Sequence, residues 1–231
     1  MAGIGSTATA AAAEWDASLG LTSDYLVRGL TRSQHDGALQ GGVSLQGEES
    51  WTAGIWASSV TLQQGGPRHA EIDYFISGEL PVSQDWRLGG QATRYQFAGA
   101  SSAASYDYTE VALSLSYQDA ITASVAWSPD YTYYYSYYPA MFAAATDTAI
   151  SYELFAKHPL SRSILAVAGV GRSELGGPDR AYNFWSGGAE ISWDRVALSL
   201  SYMSSDGDAR RLFRDLAARN AWVATISVRL R

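Results

Sequence analysis

Charged side chains stand at alternate positions among small polar residues in several segments of the sequence. One residue separates Glu71 from Asp73, and three separate Asp24 from Arg28. In an extended chain, side chains spaced in this way leave the same face. Charged side chains that ring one face of a closed sheet bias the passage of ions. The set with this spacing is Asp24, Arg28, Glu71, Asp73, Glu79, Arg87, Glu110, Glu153, Lys157, Glu190 and Arg229.

The histidines offer a second chemistry, which the sequence supports weakly. His35 precedes Asp36 in one polar segment, and His69 lies in another. Such residues serve hydrolases that pair a serine or an aspartate with a histidine, but no nucleophile elbow accompanies them here. The three histidines, His158 included, lack the spacing of a zinc site, and the chain has no cysteine. We therefore expect no catalytic residue, cofactor or metal.

Composition narrows the class of protein. The chain has 231 residues, a net charge of -7 and 17% charged residues. It has no basic stripe, so we expect no nucleic-acid partner. No run of about eighteen apolar residues is present, which excludes a transmembrane helix. Residues 1–13 form an Ala-rich tail or a truncated signal segment, and residues 14–231 form one domain.

Most of that domain alternates apolar with small or polar residues. Val111, Leu113 and Leu115, for example, share one parity, and Glu110 and Ser114 share the other. This period of two predicts about twelve strands, most of 9–13 residues. Residues 18–46 are interpreted as one long hairpin with its tip at 33–37. That interpretation places Asp24 and Arg28 on the first strand, facing the same side.

The connections between the predicted strands alternate strictly between short and long. This is the pattern of an outer-membrane barrel, with tight periplasmic turns on one rim and longer external loops on the other. The segment RRLFRDLAAR in the last long connection could hold a helical turn. Short connections fall near 48–50, 81–84, 118–119, 158–161 and 194, and long ones near 32–37, 61–69, 98–105, 129–147, 173–179 and 204–219.

Large aromatic residues occur near both rims, on the apolar parity of the strands. Amphipathic rings are favoured there because lipid headgroups surround the rims. The alternative is a soluble β-sandwich or lipocalin-like barrel. Such a fold does not explain why alternating short and long connections occur together with aromatic residues at both rims. We therefore predict an all-β, membrane-spanning, antiparallel up-and-down barrel of about twelve strands in the bacterial outer membrane. The predicted girdles are Trp15, Trp51, Trp86, Tyr117 and Trp193 beside the short turns, and Tyr25, Trp127, Trp185, Tyr202 and Trp222 toward the long loops.

Several segments resemble the TorF family of porin-like proteins. The opening resemblance covers Gly20 to Gly29, in the form Gly-Leu-x-Ser-Asp-Tyr-x-x-Arg-Gly, and then the Ala-Leu-Gln-Gly-Gly run of Ala38 to Gly42. Further similarity lies in WTAGIWASSV from Trp51, AEIDYFISGE from Ala70 and Ser128-Pro-Asp-Tyr131. The resemblance covers nearly the whole chain from Trp15. It implies an outer-membrane barrel and a porin-like activity.

The predicted barrel leads to a functional expectation. Eight strands enclose a filled interior and sixteen or more an open channel, so twelve favour a narrow pore for ions or small hydrophilic solutes. Seven acidic and four basic residues make up the predicted lining, which favours cations weakly. We expect membrane lipid as a partner and leave a homo-oligomer open. The alternatives are charges that pair and fill the lumen, a structural or adhesive barrel, and an enzyme. A tyrosine-rich segment, Tyr131 to Tyr138, could stack on sugars or on lipid headgroups.

Overall fold

The computed structural model describes residues 14–47, 50–61, 66–99, 106–131, 147–176 and 178–230. Predictions for residues 1–13 and for the tyrosines at 132–138 lie outside them. The elements are β1 (Glu14–Thr22), β2 (Leu26–Val27), β3 (Leu30–Thr31), β4 (Ala38–Gln46), β5 (Trp51–Thr61), β6 (Arg68–Pro81), β7 (Trp86–Ala98), β8 (Tyr108–Tyr117), β9 (Ile121–Tyr131), β10 (Asp147–Pro159), β11 (Ile164–Leu175), β12 (Ala181–Trp193), β13 (Val196–Ser205), α1 (Gly207–Ala217) and β14 (Ala221–Arg229).

Twelve long antiparallel strands form a closed barrel in the order β1-β14-β13-β12-β11-β10-β9-β8-β7-β6-β5-β4. The predicted fold class is therefore confirmed. The barrel closes where β1 meets β14, with Leu21 opposite Ile226 and Thr22 opposite Thr225. Closure leaves no sheet edge with unpaired backbone groups, which a strand in hydrocarbon cannot tolerate.

The outer face of the barrel is apolar, as the alternation predicted. Leu113, Leu200 and Ile76 are each more than half exposed, and Ser151, Ser173 and Glu71 on the opposite parity are buried. Trp193 on the short-turn rim and Trp222 on the long-loop rim are also exposed. No helix among the described residues is long and apolar enough to cross a membrane.

The rim-facing assignment of Tyr25 is wrong. Its hydroxyl donates a hydrogen bond to Glu71 Oε1 over 3.1 Å, and its ring packs 5.4 Å from the Trp56 ring. Both partners are on the inward parity of their strands, β6 and β5. Tyr25 therefore belongs to the interior and not to the external aromatic girdle.

Adjacent residues of β13 provide a direct test of the two faces. Leu200 faces outward, whereas Ser199 faces inward opposite Glu190. We expect Leu200→Arg to destabilise the barrel by about 2–4 kcal/mol, the cost of a basic side chain near the bilayer midplane. Ser199→Arg, the matched control, should leave stability nearly unchanged because Glu190 can pair with it. Equilibrium urea unfolding in lipid vesicles measures the difference, and equal destabilisation by both variants would contradict this facing.

Short turns and long connections alternate around the barrel as predicted. The turn at Gln118 and Asp119 has positive φ at both residues, 49° and 52°, as the tightest hairpins require. Several boundaries differ, because the strands run further than the pattern indicated. β10 continues to Pro159, so its turn begins at Leu160. β11 continues to Leu175 and β12 begins at Ala181, so the connection predicted at 173–179 is only residues 176–180. The last long connection contains α1, which begins after Asp206, whose side chain accepts hydrogen bonds from the amides of residues 208 and 209. The helical expectation there is confirmed.

Candidate functional site

The first external connection is longer than the sequence pattern indicated. β1 ends at Thr22, which pairs with Ala38 at the start of β4. The residues between them, 23–37, are here called loop 1. Within loop 1 the short strands β2 and β3 pair around a tight turn, where Arg28 and Gly29 have φ of 51° and 76°. The placement of Asp24 and Arg28 on the first strand is therefore wrong.

Loop 1 crosses the inside of the barrel. Arg28 Nη1 lies 2.6 Å from Glu110 Oε2 on β8, and Arg28 Nε lies 2.8 Å from Glu153 Oε1 on β10. In the strand order, β8 is five steps from β1 through β4, and β10 is five steps from β1 through β14. Both carboxylates are thus on the wall opposite to β1. Arg28 joins loop 1 to that wall.

Arg28 stays charged in this position. Burial would lower the pKa of its guanidinium, but the Glu110 and Glu153 carboxylates outweigh burial and raise that pKa well above its ordinary value. A guanidinium that binds two carboxylates through separate nitrogens also fixes the orientation of the turn that carries it. The contact therefore attracts loop 1 to the opposite wall and also fixes the orientation of its turn.

A second arginine of loop 1 lies in a cluster of rings. Arg32 forms an ion pair with Glu71, and its Nη2 donates a hydrogen bond to the Tyr108 hydroxyl over 2.5 Å. Its guanidinium carbon lies 5.5–5.9 Å from four ring centroids. Those rings belong to Tyr25, Tyr95, Phe97 and Tyr108, here called the aromatic cage.

Asp24 holds loop 1 together from within. Its Oδ1 accepts hydrogen bonds from the hydroxyls of Thr31 and Ser33, at 2.5 and 2.9 Å, and its Oδ2 lies 2.7 Å from His35 Nδ1. The partners of Asp24 are thus in loop 1 and not on a neighbouring strand. Ser33 donates to Asp24 rather than to His35, so these three groups do not have the order of nucleophile, base and acid that hydrolysis needs.

Helix α1 covers loop 1 from the external side. Ala209 and Phe213 are buried against a cluster that includes Leu30 of loop 1 and the inward-facing Tyr182 and Phe184. A cavity between loop 1 and the wall has a volume of about 20 Å³, enough for about one water molecule. Around this cavity, the described residues of the external half of the lumen are therefore closely packed.

The periplasmic half is open. Glu79 and Lys157 are exposed on the inward parity, and Glu190 is half-buried. A cavity of about 220 Å³ lies against the wall there, with Trp56 among its lining residues. No ion pair of Glu79, Lys157 or Glu190 occurs within the described part of the chain. At the same end of the barrel, Arg87 pairs with Asp119 and Arg229 with Asp16.

The predicted lining residues thus divide into two groups. Loop 1 carries two of them and the adjoining wall carries four in the external half, whereas the other five lie in the periplasmic half. Sequence reasoning missed the role of Arg32, which it left in the long connection near 32–37. It also missed Tyr95 and Tyr108, whose inward parity was the available signal. The external group is Asp24, Arg28, Glu71, Asp73, Glu110 and Glu153, and the periplasmic group is Glu79, Arg87, Lys157, Glu190 and Arg229.

The side chains of the site do not form a metal centre. No group of three or more His, Cys, Asp or Glu residues that could hold a metal ion occurs within the described ranges. Glu71 and Asp73 are close to each other, but the positive charge beside them is the guanidinium of Arg32. The site is therefore one of ion pairs and rings.

Several solved structures have a similar fold. The NanC porin has a TM-score of 0.62 at 10% identity, over 93% of this chain and 99% of that chain. A membrane protein crystallised in meso has a TM-score of 0.52 at 11% identity, over 94% and 83%. The COG4313 outer membrane channel from Pseudomonas putida F1 has a TM-score of 0.49 at 8% identity, over 99% of each chain. A search of curated proteins found no match.

A sequence-family model also matches the chain. It is described as "Bacterial protein of unknown function (Gcw_chp)" and covers residues 6–229. At identities near 10% the structural similarity shows the fold alone, that of an outer-membrane barrel. Because the chain is bacterial by family and its closed barrel has an apolar outer band with aromatic rims, the outer membrane is its location.

Proposed function

This chain belongs to the Gcw_chp family of bacterial proteins, and we propose that it is an outer-membrane channel for ions and small hydrophilic solutes, restricted by loop 1. The resemblance to the TorF family of porin-like proteins supports the same proposal. One observation carries it, the bridge from Arg28 across the lumen to Glu110 and Glu153. A loop held across a polar interior narrows the path and lines its narrowest part with charge.

The open periplasmic half supports a transport role. Its inward positions carry Glu79, Lys157 and Glu190 together with serines such as Ser116 and Ser199. A water-filled space with these groups admits hydrophilic solutes and keeps apolar ones out. Membrane lipid around the outer face and small solutes inside are the partners we propose, and the net charge of -7 disfavours nucleic acid.

Acidic groups outnumber basic groups at the restriction. The carboxyl groups of Glu71, Asp73, Glu110 and Glu153 lie near two guanidinium groups, those of Arg28 and Arg32. A local excess of negative charge raises the concentration of cations relative to anions. We therefore retain a weak cation preference as part of the proposal.

Reversal potentials in planar bilayers test this preference. In a KCl gradient we expect the wild-type potential to favour K⁺ modestly, and Glu79→Gln with Glu190→Gln to reduce that preference because two lumen charges disappear. Asp85→Asn with Asp194→Asn removes two charges from periplasmic turns and serves as the matched control. A wild-type potential that favours Cl⁻ would contradict the cation preference.

A non-conducting structural barrel is the second candidate function. The observation that favours it is the packed external half, whose cavity of about 20 Å³ holds about one water. Liposome swelling with small sugars separates the two candidates. A channel gives a swelling rate that falls with solute size, whereas a structural barrel gives none.

We propose transport rather than catalysis for the loop 1 residues. His35 Nδ1 contacts Asp24 within loop 1, and this contact stabilises the loop. His69 lies on β6, where its Nδ1 accepts or donates no hydrogen bond among the described residues. The partner of the His35 ring nitrogen Nδ1 is thus the Asp24 carboxylate.

A further inference from the structure

The aromatic cage binds a guanidinium group of the protein itself, that of Arg32. Arg32 comes from loop 1, but Tyr95, Phe97 and Tyr108 come from β7 and β8 of the wall. The faces of such rings attract cations, most strongly where water is excluded. Arg32 thus occupies a cation site that the wall largely builds.

The carboxylates of the wall complete this site. Glu71 is fully buried and pairs with Arg32, and Asp73 is nine-tenths buried at the next inward position of β6. Glu71 Oε2 and Asp73 Oδ1 accept no hydrogen bond from any described residue. Buried carboxylate oxygens are normally satisfied. Arg32 pairs with Glu71, and Asp73 has no ion pair among the described residues, so the two neighbouring carboxyl groups have one cationic partner between them.

The shape of the site favours a flat cation. The rings of Tyr95 and Tyr108 are stacked, with centroids 4.3 Å apart and planes inclined by 14°. The Tyr108 hydroxyl accepts one guanidinium N–H and Glu71 accepts another. A guanidinium presents its donors in one plane and stacks on rings, whereas an ammonium is a compact, strongly hydrated charge.

We propose that this site binds free organic cations that carry a guanidinium group, in competition with Arg32. This proposal rests on the proposed channel function, because it names the class of solute that the channel would pass. When a solute occupies the cage, Arg32 is displaced and loop 1 loses one of its two arginine contacts with the wall. The solute then weakens the restriction that it must pass.

Competition sets how strongly the free cation binds. Arg32 is tethered beside the cage, so its effective concentration is of millimolar order or higher. A free guanidinium ion must overcome this competitor in the wild type. Without Arg32, the same ion meets an empty cage. Removing the arginine side chain should therefore raise the apparent affinity at least tenfold.

Equilibrium binding to Arg32→Ala in detergent tests the proposal. Guanidinium at millimolar concentration, far below denaturing levels, should change the protein's tryptophan fluorescence saturably, because Trp56 packs on Tyr25 of the cage. NaCl at equal ionic strength should have no such effect. Adding Glu71→Gln to Arg32→Ala should weaken binding at least tenfold, since the carboxylate acceptor is lost.

Arg94→Ala is the matched control. Arg94 also lies near the external rim, but its partners are Thr109, Asp107 and Asp130. Removing it creates no vacancy among rings, so guanidinium should bind no more tightly than to the wild type. Equal enhancement in Arg94→Ala and Arg32→Ala would overturn the proposal.

A folding failure of Arg32→Ala would also be informative. In that case the variant is refolded with and without guanidinium, and the folded yield is measured against matched NaCl. Rescue by guanidinium alone supports the proposal. Absence of both rescue and saturable binding overturns it.

The two proposals can fail separately. Binding is measured in detergent and needs no conduction, so guanidinium binding without conductance in any salt would retain the cation site and reject the channel. KCl conductance without guanidinium binding would retain the channel and reject the cation site.

Discussion

Replacing loop 1 by a two-residue turn is expected to raise single-channel conductance about three- to tenfold, toward that of an unobstructed barrel of this strand number. Thr22 and Ala38 are paired, so an Asn-Gly turn can join β1 to β4 directly as a tight hairpin. The change removes Arg28, Arg32 and Leu30 from the lumen. Every strand pair of the wall stays in place.

Planar bilayers in concentrated KCl provide the measurement. Circular dichroism controls for strand content, which should match that of the wild type because residues 23–37 contribute only two short strands. A second control replaces loop 1 by a Gly-Ser segment of equal length, which lacks the arginines but retains the chain, and should give intermediate conductance. Unchanged conductance in the Asn-Gly variant would show that loop 1 does not restrict the path.

Arg28→Glu has the second largest expected effect, the release of loop 1 from the opposite wall. The substitution places a third carboxylate beside Glu110 and Glu153, both within 2.8 Å of the original guanidinium. Removing one partner of a buried pair costs about 3–5 kcal/mol, and the lower end applies here because the side chains of Arg28 and Glu110 are 17% and 11% exposed. Even 3 kcal/mol shifts the docking equilibrium of the loop about 150-fold.

Single-channel recordings should then show frequent transitions to a higher conductance. Arg28→Lys keeps the charge but loses the two-nitrogen contact, so its effect should be smaller. Combining Arg28→Glu with Glu110→Lys and Glu153→Lys reverses every charge and should restore the low conductance. Arg94→Glu, the same charge change on the outer face, should leave conductance unchanged. Identical recordings from Arg28→Glu and wild type would contradict the bridge.

The barrel wall was predictable because its two faces meet different environments. In β6, Glu71 and Asp73 face the interior and Ile72 and Tyr74 face away. A polar residue that faced outward from a strand would lose its hydrating water and contact lipid, which is costly. Apolar residues therefore alternate with polar ones at nearly every position. The same reasoning located the turns, since a short polar break must end each strand.

Loop 1 was not predictable from the same pattern. Tyr25 and Val27 keep the apolar parity of Leu19 and Leu21, so the alternation gives no clear end of the strand at Thr22. The partners of Arg28 are 82 and 125 residues away in sequence, beyond any local signal. Gly29 was the available hint, because its φ of 76° and the Ser204 backbone oxygen 3.2 Å from its Cβ position disfavour other residues there.

The barrel seam is expected to set the order in which the interior is assembled. β1 pairs with β4 through nine residue pairs but with β14 through five, and the hydroxyls of Thr22 and Thr225 that meet there are 203 residues apart in sequence. Contacts of such separation form late, because the chain entropy lost in closing them is large. Loop 1 follows β1 directly, so we expect its arginines to reach β6, β8 and β10 while the wall is still open. Closure would then trap a docked loop, and the folding rate and the restriction of the proposed channel would depend on the same few strand pairs.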